Sequence, residues 1–415
     1  MEELKEQPLG YWEESSYMMV VPREATEELL EGIIDRVSAL DEIKILESHS
    51  LTDESPGRIK LIYKEEEFEV GFYPSGFSVP DFYLNKNYYF TEKEKEDLKN
   101  AKASLTMFMK FNENSKKSYH LQLKLAIAMI PDMLGVMDES AEKMLPTTWV
   151  KMAANSKVLP SANDLYNVQA VSNDNGEIWL HTHGLCRCGL TELEILNSDQ
   201  LNYNNHYNLI STFASYLLDK RDNFEGSAYI GILVNRQPVV ATYLSWIKGI
   251  QEYKNLDLGG LEDRKEGHNS KTSIIFLYKG EEDEENNILT KVSEFNNLWG
   301  ENPIFFISDE ETARMKNLAM ERFDYVKKEF KNKDNHIIIK IGLPVDNDNN
   351  LEHIWFELLK FEGDKFKAKL LQEPYDVKDI HEGDERVFTK EDVTDWIIYT
   401  PSFSVSPGNA YLLER

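Results

Sequence analysis

Apolar residues in this chain arrive in strand-length bursts separated by turn residues, and that pattern restricts the fold more than any other feature. The first such burst, YMMVVP at Tyr17–Pro22, predicts a strand. EATEELLEGIIDRVSAL follows and sets Leu29, Leu30, Ile33, Ile34 and Val37 on one helical face. EIKILES, RIKLIYK and EFEVGFY read as three more strands, the last two joined by a tight polar turn. Thr91 caps a charged helix, EKEKEDLKNA, before the strand SLTMFMKF. Taken as a β-α-β-β-α-β order with one strand over, and with one irregular stretch near Phe82–Phe90, this pattern predicts a ferredoxin-like α+β unit over residues 1–112.

At 415 residues the chain exceeds one ordinary core, since cores stop growing near roughly 250–300 residues. A central mixed α/β domain is expected over 113–332. It opens with an apolar helix, Lys116 to Met137, kinked at Pro131. Strands GEIWLHTHGL, LTELEIL, AYIGILV, TSIIFLY and PIFFIS follow, with helices near Tyr207–Leu218, Tyr243–Tyr253 and Asp309–Phe330. GGLEDRKEGHNS and GEEDEENN read as exposed loops. Residues 333–415 carry short strands separated by Gly363-Asp364 and Gly383-Asp384 turns, the pattern of a small β-barrel-like domain.

Lys and Arg number 46 against 73 Asp and Glu, a net charge of −27. Such a field repels phosphate backbones and anionic membrane surfaces, so neither nucleic acid nor membrane is an expected partner. The 41% hydrophobic content is enough to build packed interiors. The two cysteines, Cys186 and Cys188, stand too close together to staple a fold, which fits a reducing compartment. MEELKEQPLGYWEESS lacks the basic and apolar regions of a signal peptide. The most apolar stretch, LQLKLAIAMIPDMLGVM, is interrupted by Lys124, Pro131 and Asp132. A cytoplasmic location is the expectation.

Metal-competent residues crowd together once, in His181-Thr-His-Gly-Leu-Cys-Arg-Cys188. On a strand, His181 and His183 share a face with Trp179, and Cys186 and Cys188 would complete a nitrogen-and-sulfur set suited to zinc or copper. Four ligands so close in sequence must fold back sharply to surround an ion, so the blander reading is histidines bonded within a sheet and cysteines packed as small apolar groups. A redox role for the C-x-C pair is a third reading. Glu192 and Glu194 share the next strand's face and would stand opposite the imidazoles, as ligands, acid-base catalysts or plain cross-strand charge partners. Zinc is the candidate metal; no other cofactor is expected.

Phosphate-binding glycine loops, the G-x-S-x-G elbow and the H-E-x-x-H helix are all absent from the sequence. Asp346, Asp348, Asn350 and Glu357 imitate a calcium loop, but Leu351 stands where that loop needs glycine.

Near the C-terminus, His353, Trp355, Gly363-Asp364, Glu373-Pro374, Gly383-Asp384 and Asp395-Trp396 occur in an order that resembles the bacterial domain-of-unknown-function family 2314. LYNVQAVSNDNGEIWLHTHGLCRCGLTELEIL looks like its companion, family 4026. The resemblance implies a bacterial, cytosolic, multi-domain protein and brings no activity. The glycine dipeptides suit tight turns, and Trp355 and Trp396 suit core anchors.

Two functions are therefore expected in competition. One is a non-enzymatic protein-interaction protein of the immunity or stress-response type, whose acidic surface meets another protein. The other is a metal-dependent enzyme, such as a hydrolase, built on His181, His183 and Glu192 or Glu194.

Overall fold

A computed structural model describes residues 14–52, 54–85, 88–220, 226–267, 270–300, 303–345 and 350–414. It is a mixed α+β fold in two compact units, Met1–Val150 with Pro160–Ser308, and Lys151–Leu159 with Asp309–Arg415. Asp346 and Asp348 of the calcium-loop pattern lie outside the described residues.

The first unit contains two sheets. Strands β1 (Ser15–Pro22), β2 (Ile43–His49), β3 (Gly57–Tyr63), β4 (Glu66–Gly76), β5 (Ala103–Lys110), β6 (Met133–Asp138) and β7 (Lys143–Pro146) form the first, in the order β2-β3-β4-β5-β1-β6-β7. All neighbours are antiparallel. The ferredoxin-like expectation is not met: three strands, β2, β3 and β4, stand between the helices Ile33–Ser38 and Glu92–Asn100, where β-α-β-β-α-β has two. Three strands separate β1 from β2, where a split β-α-β unit would insert one. The sheet also continues past residue 112, because β6 pairs with β1.

Proline explains that continuation. The helix Ser115–Met129 stops before Pro131, whose ring pushes Ile130 out of the helical region to φ −131°, ψ 82°. The LGVM residues that periodicity assigned to a kinked helix are therefore the strand β6. Tyr119, Leu121, Leu123 and Leu125 are buried all round the helix, the mark of a core helix. The charged helix Glu92–Asn100 begins as expected, with Thr91 and Glu94 closing a capping box.

The second sheet comprises β8 (Asn167–Ser172), β9 (Glu177–His183), β10 (Glu192–Asp199), β11 (Ala228–Ile232), β12 (Pro238–Ser245), β13 (Thr272–Tyr278), β14 (Thr290–Lys291) and β15 (Ile304–Phe305). Its order is β15-β11-β12-β13-β10-β9-β8, with β14 beside β13. The helix expected over Tyr243–Tyr253 is present as two short turns, Trp246–Gly249 and Ile250–Glu252, but starts three residues later, because Tyr243–Ser245 end β12, a β-branched run placed between β11 and β13. One face packs Leu180, Leu193, Ile195 and Ile275 with Leu209 and Phe213 of the helix Tyr203–Asp219. The other face packs Trp179, Leu196, Ile274 and Phe276 with Trp246 and Tyr253.

In the second unit, β16 (His336–Pro344), β17 (Leu351–Glu362), β18 (Lys365–Leu370), β19 (Glu385–Thr389), β20 (Val393–Tyr399) and β21 (Ser404–Val405) form an antiparallel sheet. Its order, β19-β18-β17-β16-β20-β21, leaves two edges, so it is open and not a closed barrel. The helices Asp309–Glu321 and Phe323–Glu329, expected in the middle domain, pack Ala319, Phe323 and Val326 into this sheet's core. Trp396 is the core anchor expected, its indole donating to Ala319 O at 3.0 Å. Trp355 is not. It lies on the opposite face, half-buried, with Lys340 Nζ 5.3 Å from its ring centroid.

Candidate functional site

The H-T-H-G-L-C-R-C segment is the end of β9 and the turn into β10. Alternation along β9 puts Trp179, His181 and His183 on one face, as expected, with ring centroids 4.6 and 4.9 Å apart. Glu194 pairs opposite His181 across the hairpin. Gly184 then turns the chain at φ +114°, where a Cβ would come within 2.5 Å of Leu165 O, so only glycine fits. Gly189, at φ +76°, closes the short Cys186–Cys188 turn.

Glu192 holds this turn together. One carboxylate oxygen accepts from Thr182 Oγ1 at 2.6 Å; the other accepts from the backbone N–H of Gly184 at 2.8 Å and of Cys186 at 3.0 Å. A buried carboxylate is stable only when its lone pairs are so filled. These bonds fold the segment sharply, and they also engage the group that a general base would need free.

Glu194 is spent in a second way. It is wholly buried and held by both terminal nitrogens of Arg264, with Nη1 2.8 Å from Oε1. Arg264 also donates to Gly259 O and Thr272 Oγ1 and lies 4.7 Å from the Trp246 ring and 5.4 Å from that of Trp179. The GGLEDRKEG stretch, expected as an exposed loop, is thus pinned to the sheet by its arginine.

Between the cysteines, Arg187 points into the first sheet. Its guanidinium is bidentate to Asp138 of β6, at 2.7 and 2.9 Å, and donates to Ser16 Oγ of β1 and Leu165 O. Tyr119 donates to the same carboxylate at 3.1 Å and stacks 4.9 Å from the guanidinium. Burial, and then the Asp138 charge, push the Tyr119 hydroxyl well above its ordinary range, so it stays a donor. Nearby Lys143 of β7 donates to Asp164 O and Tyr166 O; burial pushes it down to about 8, against the pull of Asp138 and Asp164. Arg187 and Lys143 therefore tie the two sheets together.

Cys186 and Cys188 form no disulfide and are buried, with sulfurs near Lys271 O and Gly184 O. Burial, and then the Glu192 charge, push the Cys186 thiol far up, which opposes the thiolate that metal ligation or redox attack requires. His183 Nδ1 has Glu142 Oε1 at 3.5 Å. Among the described residues, no three His, Cys, Asp or Glu side chains are grouped to hold a metal ion. The metal expectation named His181, His183, Cys186 and Cys188; the structure places all four on one short segment without gathering them round a point.

Sequence reasoning missed Arg187, Arg264, Asp138 and Lys143. Arg187 sat inside the motif, but its partner lies 49 residues away, and the partner of Arg264 lies 70 away. No local spacing rule reaches that far.

Family models match most of the described chain. Residues 16–160 match the N-terminal, and 168–276 the C-terminal, model of a protein of unknown function, DUF4026. Residues 309–406 match DUF2314, an uncharacterized protein conserved in bacteria. Comparison with curated proteins and with solved structures finds no match.

Proposed function

This chain belongs to the DUF4026 family and carries a DUF2314 domain after it, and from that premise we propose that it is a non-enzymatic protein-interaction protein of the immunity or stress-response type. One observation carries the reading. The charged groups that could have done chemistry around His181–Glu194 are committed to the fold: Glu192 to three donors, Glu194 to Arg264 and Arg187 to Asp138. A catalyst needs such groups presented to substrate. With a net charge of −27, the chain's surface suits a partner of opposite charge in a cytoplasmic setting.

Elemental analysis by mass spectrometry of protein purified under reducing conditions without chelators tests this. The expected result is no near-stoichiometric zinc, copper or iron.

The second reading is a metal-dependent enzyme, such as a hydrolase. It is favoured by the adjacent imidazoles of His181 and His183 and by Glu142 beside His183. Under it, about one zinc per chain is bound and is lost in a His181→Ala, His183→Ala variant; that result would displace the binding reading.

A further inference from the structure

β15 ends the second sheet's strand order on one side, as β8 does on the other, and among the described residues it pairs only with β11. Ile304, Phe306, Ile307 and Tyr229 on and beside it are between 38% and 63% exposed. Phe305 turns inward, 6.2 Å from Trp299, while Phe306 and Tyr229 meet edge to face at 4.9 Å on the outside. Phe306 N donates to Ile230 O of β11, so by strand alternation the peptide N–H groups of Phe305 and Ile307 face away from the sheet. An apolar edge with outward peptide groups is a template for a further strand, and folded proteins usually blunt it with charge. Ile304–Ile307 carry none.

The edge has an electrostatic direction. Glu284, in the acidic turn Glu281–Glu285, accepts a hydrogen bond from Ser227, just before β11. Because Ile232 pairs with Ile304 and Gly231 with Phe305, that is the end of the edge where Ile307 lies. Among the described residues, no ion pair engages Glu281, Glu282, Asp283 or Glu285.

We propose that β15 accepts an extended segment of a partner protein in which apolar side chains alternate with lysine or arginine. The apolar positions cover Ile304, Phe306 and Tyr229, and the basic ones meet the Glu281–Glu285 turn. A second copy fits less well, because two chains of net charge −27 repel. The proposal rests on the binding-protein reading and names its surface and partner chemistry.

Fluorescence anisotropy with two labelled peptides tests it, one alternating valine with lysine and one alternating serine with lysine, against the full chain. The valine peptide is expected to bind at least about tenfold tighter. Ile304→Lys and Ile307→Pro, whose circular dichroism and melting temperature should match the parent, are each expected to abolish that difference. Equal affinity for the two peptides, or retention of the difference in both variants, overturns the proposal. A dimer seen by sedimentation velocity and dissolved by Ile307→Pro also overturns it, by giving the edge to a second copy. If wild type and Ile307→Pro both capture the same stoichiometric partner from lysate, the edge proposal fails while the binding reading stands. Capture of no partner at low salt defeats the binding reading itself.

Discussion

At the scale of single residues, the buried polar groups of the first unit behave as fasteners, and His206 shows what that costs at low pH. Its Nδ1 lies 2.8 Å from Ser198 Oγ and its Nε2 3.0 Å from Asn296 Oδ1, and Asn296 donates on to Asp199. Burial lowers its pKa from 6.5 to about 4, against the bond to Asn296 and the Asp199 charge. The unfolded chain therefore takes up a proton first as pH falls, and stability is lost between about 6.5 and about 4. Urea midpoints measured across that window should fall more steeply for the parent than for His206→Gln. Parallel slopes would show that His206 does not contribute to acid sensitivity. The hydrogen-bonded Ser198-His206-Asn296 order imitates a nucleophile and base, but both Ser198 and His206 are sealed from solvent, and a base with a pKa near 4 is poorly matched to neutral pH.

At the scale of elements, the β3–β4 hairpin shows where local chemistry is strained and can be improved. Tyr63 pairs with Glu66, leaving the two-residue turn Lys64-Glu65 with φ +46° and +71°. Both values are left-handed, the geometry of a type I′ turn, which favours asparagine and glycine. Glu65→Gly should raise stability by about 0.5–1 kcal/mol in chemical denaturation, since it relieves the left-handed cost. A loss of stability would mean that Glu65 contributes something other than backbone strain.

Most strands of this fold were legible because each is an apolar burst between turn residues, as at YMMVVP, TSIIFLY and HIIIKIGLPV. The failures were of a different kind. A continuous apolar run hid the helix-to-strand change at Pro131, and pairing with β13 drew Tyr243–Ser245 into β12, so that the helical turns after it start only at Trp246. Of the candidate site, the shared face of His181 and His183 and the opposition of Glu194 followed from period-two alternation. The occupations of Glu192 and Glu194 did not, because they depend on backbone groups in a turn and on an arginine from a distant loop.

At the scale of the whole molecule, the first unit joins two sheets through charges that neither sheet could bury alone. Arg187 comes from the second sheet's hairpin and Asp138 from the first sheet, and both are all but inaccessible to water. The two DUF4026 models divide the sequence between these residues, yet the ion pair makes their segments physically dependent on each other. Removing one partner of a buried pair costs about 3–5 kcal/mol, because the other charge is left uncompensated; removing both costs much less. A double-mutant cycle on Arg187→Met and Asp138→Leu, read by chemical denaturation of the full chain, tests this joint directly. The account predicts that each single variant loses about 3–5 kcal/mol and that the double variant loses far less than their sum. Additive losses would contradict it, and would reopen the H-T-H-G-L-C-R-C segment as something other than a fastening between two sheets.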